Sequence, residues 1–469
     1  MDEKHTLIER LLEEITQLKR IIAEQALTIE MQGKRIAELE KRLGKNSGNS
    51  SKPPASDGLS KKSRTNSLRL SGQKPSGGQQ GHKGNTLEQR AQPDKIQRHA
   101  LTACPKCANS LSDEPVVGVI KRQVFDIPQP VLEVTEHQAE IKTCLCCKKR
   151  VTASFPEGIN APTQYGATLQ SWGVYLQHEQ LMPEERLQET FSDLLRVNIS
   201  TATINRWSEI VYEKLETTET DILTKIKNSP VKHADESGCR VMAQTQWLHS
   251  ASTEKLTYYT LSAQRKTPFI DFIGIMVHDH WKNYFKIMGV LHALCNQHHL
   301  RELQSLIENE KELWAKNMQR CLRLGLQYRH KYGAEPIPEE IQERYLNLYN
   351  SIVDKGIAFH ESQPAFSTQK KRGRQAKRTG HNLLLRLKNY RDDVLRFFTN
   401  PEVPFTNNQA ERDIRMIKCK QKISGGFRSL LGAKIFLRIR GFISTVRKHG
   451  LSIFQAIQNT LQGLTPIIL

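Results

Sequence analysis

The sequence predicts a multidomain α+β protein, and three patterns carry that expectation. Apolar residues recur every seven positions through the N-terminal segment. Two cysteine knuckles follow a stretch rich in Gly, Ser and Pro. Beyond them, short apolar segments that end in acidic residues alternate with segments of helical period. The chain of 469 residues has room for several domains at roughly 100–200 residues each.

Charge and composition narrow the function classes. Lys+Arg number 69 against 49 for Asp+Glu, a formal charge of +20. Such an excess makes a polyanion the expected partner, either nucleic acid or an acidic membrane surface. No apolar run approaches the ~18 residues of a transmembrane helix, and Met1-Asp2-Glu3-Lys4 opens no signal-peptide core, so neither secretion nor membrane insertion is expected. Nine cysteines, several in close pairs, suit metal ligation in a reducing cytosol better than disulfides.

Residues 5–43 read as one helix. Ile8, Ile15, Ile22, Ile29, Ile36 and Leu43 fall at heptad position a; Leu11, Leu18, Gln25, Gln32 and Leu39 fall at d. β-branched residues at a with Leu at d favour a parallel two-stranded coiled coil, and seam glutamines restrict register at a cost in stability. A homodimer is expected; the alternative is an amphipathic helix docked on its own chain. Residues 44–98 are Gly, Ser, Pro, Gln and Lys/Arg with few apolar positions. Burial there cannot offset ordering, so the stretch reads as a flexible basic linker. Lys61, Lys62, Arg64, Arg69, Lys74 and Lys83 either track phosphates or simply solvate a tether.

Residues 99–155 contain Cys104-Pro105-Lys106-Cys107 and Cys144-Leu145-Cys146-Cys147. Two such turns offer the four thiolates that tetrahedral Zn²⁺ takes: Cys104, Cys107, Cys144 and Cys147, with Cys146 able to replace either neighbour. Val116–Ile127 and Val131–Ile141 alternate like the strands of a zinc ribbon. Residues 160–228 read as helical. One helix begins near Pro183, and Ser200 caps a second that runs through Ile204, Trp207 and Val211. The pair fits either a helix-turn-helix or a plain bundle, with Trp207 in the core.

Residues 229–299 and 401–450 hold the acidic constellation. Val231–Asp235 reads as a short strand ending in a carboxylate, followed by strands at Cys239–Ser250 and Leu256–Ser262. A helix near Pro268–Phe272 then leads to strands at Ile273–Asp279 and Gly289–Cys295. Three strands, a helix, then a strand closed by Asp is the RNase H-like α/β order. Further on, Phe405–Asp413 places Glu411 in the first turns of a helix, with Arg412, Arg415, Lys418, Lys420 and Lys422 close behind as candidate phosphate contacts. Asp235, Asp279 and Glu411, brought together, can hold two Mg²⁺ (or Mn²⁺) ions ~3.5–4 Å apart for in-line displacement at phosphorus. Glu236 is expected to face away from the site, because successive strand residues alternate. Asp413 is expected off the site, and Asp271 solvated on its helix.

The 132 positions from Asp279 to Glu411 exceed what such a core needs, so residues 300–400 read as a helical insertion. Its helices are expected over Leu303–Leu326, Ile341–Phe359 and Leu383–Phe398, with a basic loop whose Lys371, Arg372 and Arg374 meet phosphates. Cys295 and His298 form a Cys-x2-His pair that either positions the insertion or a DNA end or merely packs, since two ligands cannot close a zinc site. Residues 451–469 read as a C-terminal tail. A Gly-x-Ser-x-Gly elbow and a Walker-type loop are both missing from the sequence, which argues against a serine nucleophile and an ATP-driven motor.

Taken together and in order, several segments resemble the insertion-sequence 66 (transposase C, or IS66) family of bacterial transposases. They are the heptad start, Gly44-Lys45-Asn46-Ser47, Gly77–Gly84, the paired knuckles, His233–Gly238, Leu291–His298 and Thr406–Arg412. The resemblance implies an Asp-Asp-Glu triad on Asp235, Asp279 and Glu411. It also implies Mg²⁺-dependent cleavage and strand transfer at terminal inverted repeats, with two small accessory proteins from the same element. A cytoplasmic, nucleoid-associated DNA transposase is the matching expectation. The Cys295/His298 pair is similar to a motif in several transposase superfamilies with helical insertions. Two details depart from the pattern: His278 and His280 flank the second Asp, where many members place Gly after it, and the second knuckle has an extra cysteine. The rival readings are a non-catalytic DNA-binding regulator and an RNase H-like nuclease that does not join. Chelating zinc is expected to unfold the ribbon and weaken binding of element ends, read by gel shift; full binding retained after verified zinc loss would refute this.

Overall fold

The structure is a computed structural model and describes residues 2–43, 45, 49, 87–127, 130, 132–363 and 377–464. Helix α1 (Asp2–Leu43) runs unbroken through the heptads. Its seam residues Leu11, Ile15, Leu18, Ile22, Ile29, Ile36 and Leu39 are exposed rather than docked on the chain's own domains. The linker residues Lys61 to Lys83 and the insertion residues Lys371, Arg372 and Arg374 lie outside the described residues. The end of the linker is described: the Arg90 backbone and the Gln123 side chain exchange two hydrogen bonds of 2.7 Å.

Around the knuckles, β1 (Ile141–Thr143) pairs antiparallel with β2 (Arg150–Thr152). The long ribbon strands expected at Val116–Ile127 and Val131–Ile141 do not form among the described residues. Val116, Val117, Ile120, Val124 and Ile127 are exposed. Alternation without a core to bury against does not fix a strand pair, and order in so small a unit depends on metal or a partner.

The helical module comprises α2 (Ala167–Val174), which runs into a π-helical turn, then α3 (Glu184–Leu195), α4 (Thr201–Lys214) and α5 (Glu216–Asn228). Arg196 takes a left-handed φ of 54° and ends α3; Ser200 Oγ then accepts the Thr203 N–H at 3.1 Å and starts α4. Trp207 packs with Val174, Leu187, Phe191 and Ile204. Its ring lies so close over Gly173 that a Cβ there would sit 2.5 Å from it.

The central sheet comprises β3 (Val231–Val241), β4 (Gln244–Ser252), β5 (Thr257–Ser262), β6 (Gly274–His278) and β7 (Val290–Leu294), in spatial order β5-β4-β3-β6-β7. The first three are antiparallel, while β6 and β7 run parallel to β3. Met242 and Ala243, both with positive φ (50° and 60°), turn β3 into β4. Cys239–Val241 therefore belongs to β3 rather than to the next strand, and Asp235 lies mid-strand rather than at an end. The tip is held from outside: Val241 bridges to Phe427, and Gly426 lies where a Cβ would meet the Arg240 carbonyl oxygen at 2.7 Å. Pro268–Phe272 forms turns, not the expected helix. The segment is too short to nucleate one, and its order comes from Phe269 and Phe272 stacking at 4.8 Å and burying.

The insertion folds as α6 (Asn296–Asn309), α7 (Leu313–Tyr332), α8 (Glu339–Glu361), α9 (Thr379–Asn389) and α10 (Arg391–Thr399). The helix expected over Leu303–Leu326 breaks before Leu313, where Lys311 takes φ 55°; that expected over Leu383–Phe398 breaks at Tyr390. One continuous core joins Trp314, Tyr345, Leu384 and Phe398 to Val277 and Leu294 of the sheet.

Helices α11 (Asn408–Ser424), α12 (Leu430–Lys448) and α13 (Ile453–Leu461) complete the chain. The expected tail is thus partly a helix, with Ile457 buried in the core of the helical module. Helix α12 serves two cores: Ile439 and Ile443 face the helical module, while Phe436 and Leu437 pack with Val241, Leu248 and Tyr259. Asp413 of α11 pairs with Lys448 of α12 at 2.9 Å, and Lys448 also donates to the carbonyls of Thr253 and Leu256. Asp413 thus faces the α11–α12 junction and stays off the carboxylate site, as expected. No helix among the described residues is long and apolar enough to cross a membrane. Asp413→Ala is expected to destabilise this unit by about 3–5 kcal/mol, because it strands a largely buried ammonium. Denaturation midpoints check this, and Asp413→Leu combined with Lys448→Met should recover much of the loss.

Candidate active site at the ends of the parallel strands

Sheet register lines up the site. His233 is level with Val277, and Val277 with Ala293. The β3–β6 pairing ends at His233↔Val277 and the β6–β7 pairing at His278↔Leu294; Asp235 follows two residues later on β3, and Asp279 and Cys295 directly follow β6 and β7, at the same end of the sheet. Adjacent strands lie about 4.8 Å apart, so the row is two strand spacings wide. Cys295, the residue after β7, donates its N–H to the carbonyl of His278, the last residue of β6, at 2.9 Å.

Asn407, buried ahead of α11, brings the third carboxylate to this row. Its Nδ2 donates to the Ala234 carbonyl at 2.8 Å, and its Oδ1 accepts from His233 Nδ1 at 2.9 Å. Its backbone N–H points at Cys295 Sγ at 3.1 Å. Glu411 sits one helical turn beyond, its N–H bonded to the Asn407 carbonyl at 3.2 Å.

The carboxylates sense one another. Burial, followed by the charges of Glu236, Asp279 and Glu411, holds the Asp235 carboxyl well above the ordinary range. Asp235 Oδ1 accepts the Glu236 N–H and Asp279 Oδ1 the Trp281 N–H, each at 2.9 Å. Glu411 Oε1 is buried without a hydrogen-bond partner. Asp235, Asp279 and Glu411 do not all come within 4.8 Å of one another; among the described residues, the group that does is Cys295, His298 and Glu411. Burial, then the nearby Glu411 charge, push the Cys295 thiol up to about 12.

Glu236 does not simply face away from the site. Its carboxylate accepts from Tyr284 Oη at 2.8 Å and from Arg265 at 2.7 Å, and it lies near enough to Asp279 to be affected by that charge. Arg265 is held between the rings of Trp247 and Trp281, 4.7 and 4.9 Å from their centroids. Asp271, exposed in a turn, pairs with Lys227 at 2.6 Å. The basic run on α11 divides in two. Arg412, Arg415 and Lys422 are exposed, whereas Lys418 and Lys420 are half-buried and turned inward. Lys418 Nζ donates to the Gly238 carbonyl at 2.6 Å on the strand that carries Asp235, and Lys420 reaches Ser424 and the Phe436 ring. On α4, Arg206 is paired with Glu209 and Glu213, so that helix does not present it as a free cation.

The two knuckles are built alike. Cys104 N–H donates to the Asn109 carbonyl and Cys144 N–H to the Lys149 carbonyl, both at 2.8 Å.

 In each knuckle the first cysteine's N–H is the donor and the carbonyl five positions on is the acceptor; the cysteine's own carbonyl accepts from Ala108 or Lys148. Ala108 and Lys148 both take left-handed φ, at 62° and 57°. Backbone N–H groups of Lys106 and Cys107, and of Cys147 and Cys146, turn onto the first sulfur of each knuckle and draw its pKa down. By this equivalence Cys147, directly before the left-handed residue, stands where the first knuckle has Cys107, and Cys146 where it has Lys106. The donor set and its N–H groups fit zinc. The structure forms each pair but does not gather the four thiols within 4.8 Å.

Asn407 carries no chemistry of its own in the sequence reading, and neither do His233, Tyr284 or Arg265; the Asn sits inside a motif that the sequence did single out, but its partners lie far away in the chain. The raised Asp235 pKa has a testable sign. Because the folded pKa lies above the unfolded one, the folded chain takes up a proton first as pH falls, so stability rises as pH drops through the folded pKa and the gain is complete below the unfolded value. Asp235→Asn is therefore expected to melt a few degrees above wild type near neutral pH without added divalent cation. The two curves should converge as pH falls towards ~4. Equal melting temperatures at neutral pH would refute the assignment.

Comparison with known proteins fits this arrangement. Residues 162–435 match the model of the Transposase IS66 family, and residues 102–148 that of the zinc-finger binding domain of transposase IS66. Residues 1–88 match a family of unknown function. The uncharacterized protein y4jO of Sinorhizobium fredii (strain NBRC 101917 / NGR234) is 33% identical over 98 residues, which cover 19% of this chain and 30% of that protein. With one family model matching more than half of its length and a second from the same family matching its knuckles, the chain belongs to the IS66 transposase family.

Proposed function

We propose that this chain is the DNA transposase of an insertion sequence, binding terminal inverted repeats and cutting and joining DNA through Asp235, Asp279 and Glu411. The observation that supports this reading is that Asp235 and Asp279 follow the paired residues His233 and Val277 at one end of the sheet, with Glu411 held near them through Asn407 and its charge felt by Asp235. The strand order, three antiparallel strands followed by two parallel ones, is that expected of an RNase H-like core, and α6 to α10 are its insertion.

Three carboxylates form an all-oxygen donor set of the kind that Mg²⁺ takes. When bound there, Mg²⁺ supplies activation of the attacking oxygen and stabilisation of the leaving one. The chain's own part is to hold the carboxylates in place and to position phosphates. Arg412, Arg415 and Lys422, exposed along α11, lie where a backbone passing Glu411 would meet them. Lys418, bonded to Gly238 on the strand that carries Asp235, offsets negative charge from within instead of binding DNA. The zinc-binding knuckles and the helical module would engage the element ends. The exposed seam of α1 would pair two subunits, so that two ends are held before either is cut. Two small accessory proteins and a cytoplasmic, nucleoid-associated setting complete the proposal.

The test is a strand-transfer assay with labelled element ends and Mg²⁺, comparing wild type with Asp279→Ala and Glu411→Ala. Joining by wild type, at least 10²-fold reduced (about 2.7 kcal/mol) in both variants while end binding persists, is expected. Cleavage without joining would favour a nuclease. Binding without either reaction, with accessory proteins present, would favour a regulator.

A further inference from the structure

We propose that Cys295, His298 and Glu411 form a zinc site of their own, separate from the knuckles at 104–147. Their ligand atoms lie within 4.8 Å of one another. They come from two elements: Cys295 caps α6, His298 lies in the first turn of α6, and Glu411 lies in the first turn of α11.

Three observations point to an ion rather than to packing. First, the N–H groups of Gln297 and His298 turn onto Cys295 sulfur, joined by the N–H of Asn407 at 3.1 Å. Donors two and three positions after the cysteine are the arrangement at Cys104 and Cys144, so Cys295-Asn296-Gln297-His298 is a third knuckle with His as its second ligand. A neutral thiol is a weak acceptor, and several N–H groups aimed at one sulfur suit a thiolate. Second, Glu411 Oε1 and His298 Nδ1 are both buried without a hydrogen-bond partner. A buried polar atom left without a partner is costly, and a cation held by both side chains would satisfy them. Third, the donors are sulfur, nitrogen and oxygen. Mg²⁺ takes oxygen ligands, whereas Zn²⁺ takes Cys, His and carboxylate together at four-coordinate sites.

Three protein ligands leave the fourth position of a tetrahedron open. Binding releases the thiol proton of Cys295 to solvent and forms the Zn–S bond. Glu411 has two carboxylate oxygens, so a zinc ion on one side fixes the helix start while the other side stays available to the strand row. The site stands on the ligand geometry alone and does not require the catalytic reading to hold.

Zinc content of the full-length chain tests this without any DNA reaction. Changing Cys104, Cys107, Cys144, Cys146 and Cys147 to Ser is expected to lower bound zinc from about two to about one ion per chain, and adding Cys295→Ser to remove the remainder. Cobalt supplied to the knuckle-free chain should give a thiolate-to-cobalt charge-transfer band, which needs no further variant to fold. Loss of that band in His298→Ala as well as Cys295→Ser would complete the assignment. A knuckle-free chain that is folded by circular dichroism yet holds no zinc, or shows no charge-transfer band with cobalt, overturns it.

Discussion

Asn407 makes three hydrogen bonds to parts of the chain that are distant in sequence: the Ala234 carbonyl, the His233 ring and the Cys295 sulfur. Two of these belong to β3 and the third to the residue that closes β7. The N-terminus of α11 is therefore fixed to two strands at once, and the position of Glu411 relative to Asp235 and Asp279 follows from that. The buried amide can be replaced by few residues, since it must donate, accept and present its backbone N–H together. Without it the sheet would still form, but its acidic row would face no helix.

Helix α12 shows how the same unit is braced from behind. It contributes to the core of the helical module and to the packing of β5, so the two units share one wall. Buried Arg440 on this helix bonds to Glu179 and to the His178 carbonyl, and Arg438 lies over the Tyr212 ring at 3.8 Å. Polar groups this deep are specified by direction, which apolar packing alone does not supply. The helical module is thus built around a helix that it shares with the sheet.

Much of this was legible from local chemistry. Heptads, the Ser200 cap, the knuckles and the apolar strands at 274–278 and 290–294 follow rules that act over a few residues. The misread features depend on distant partners. Met242–Ala243 turns a hairpin without Asn or Gly, so the sequence pattern alone ends β3 early and puts Asp235 at a strand end. Lys418 looks like any surface lysine until Gly238 is seen beneath it. Cys295 and His298 look like a lone pair in the sequence because Glu411, which joins them in space, arrives from beyond the whole insertion. Val116–Ile127 alternates correctly but has nothing to pack on, so pattern alone did not make a strand.

The hairpin tip gives α11 a second anchor. Phe427, just past the helix, bridges to Val241, and its N–H and carbonyl bond Arg240 and Met242. With Asn407 at the other end, the helix is a beam pinned at both supports, spanning about 25 Å at 1.5 Å per residue. Such a beam cannot slide along its axis without breaking one support. Strain introduced at Gly426, where any side chain would press on Arg240, would be transmitted along the helix to the carboxylate at its far end. The acidic row is thus coupled to a turn that lies a full helix length from it.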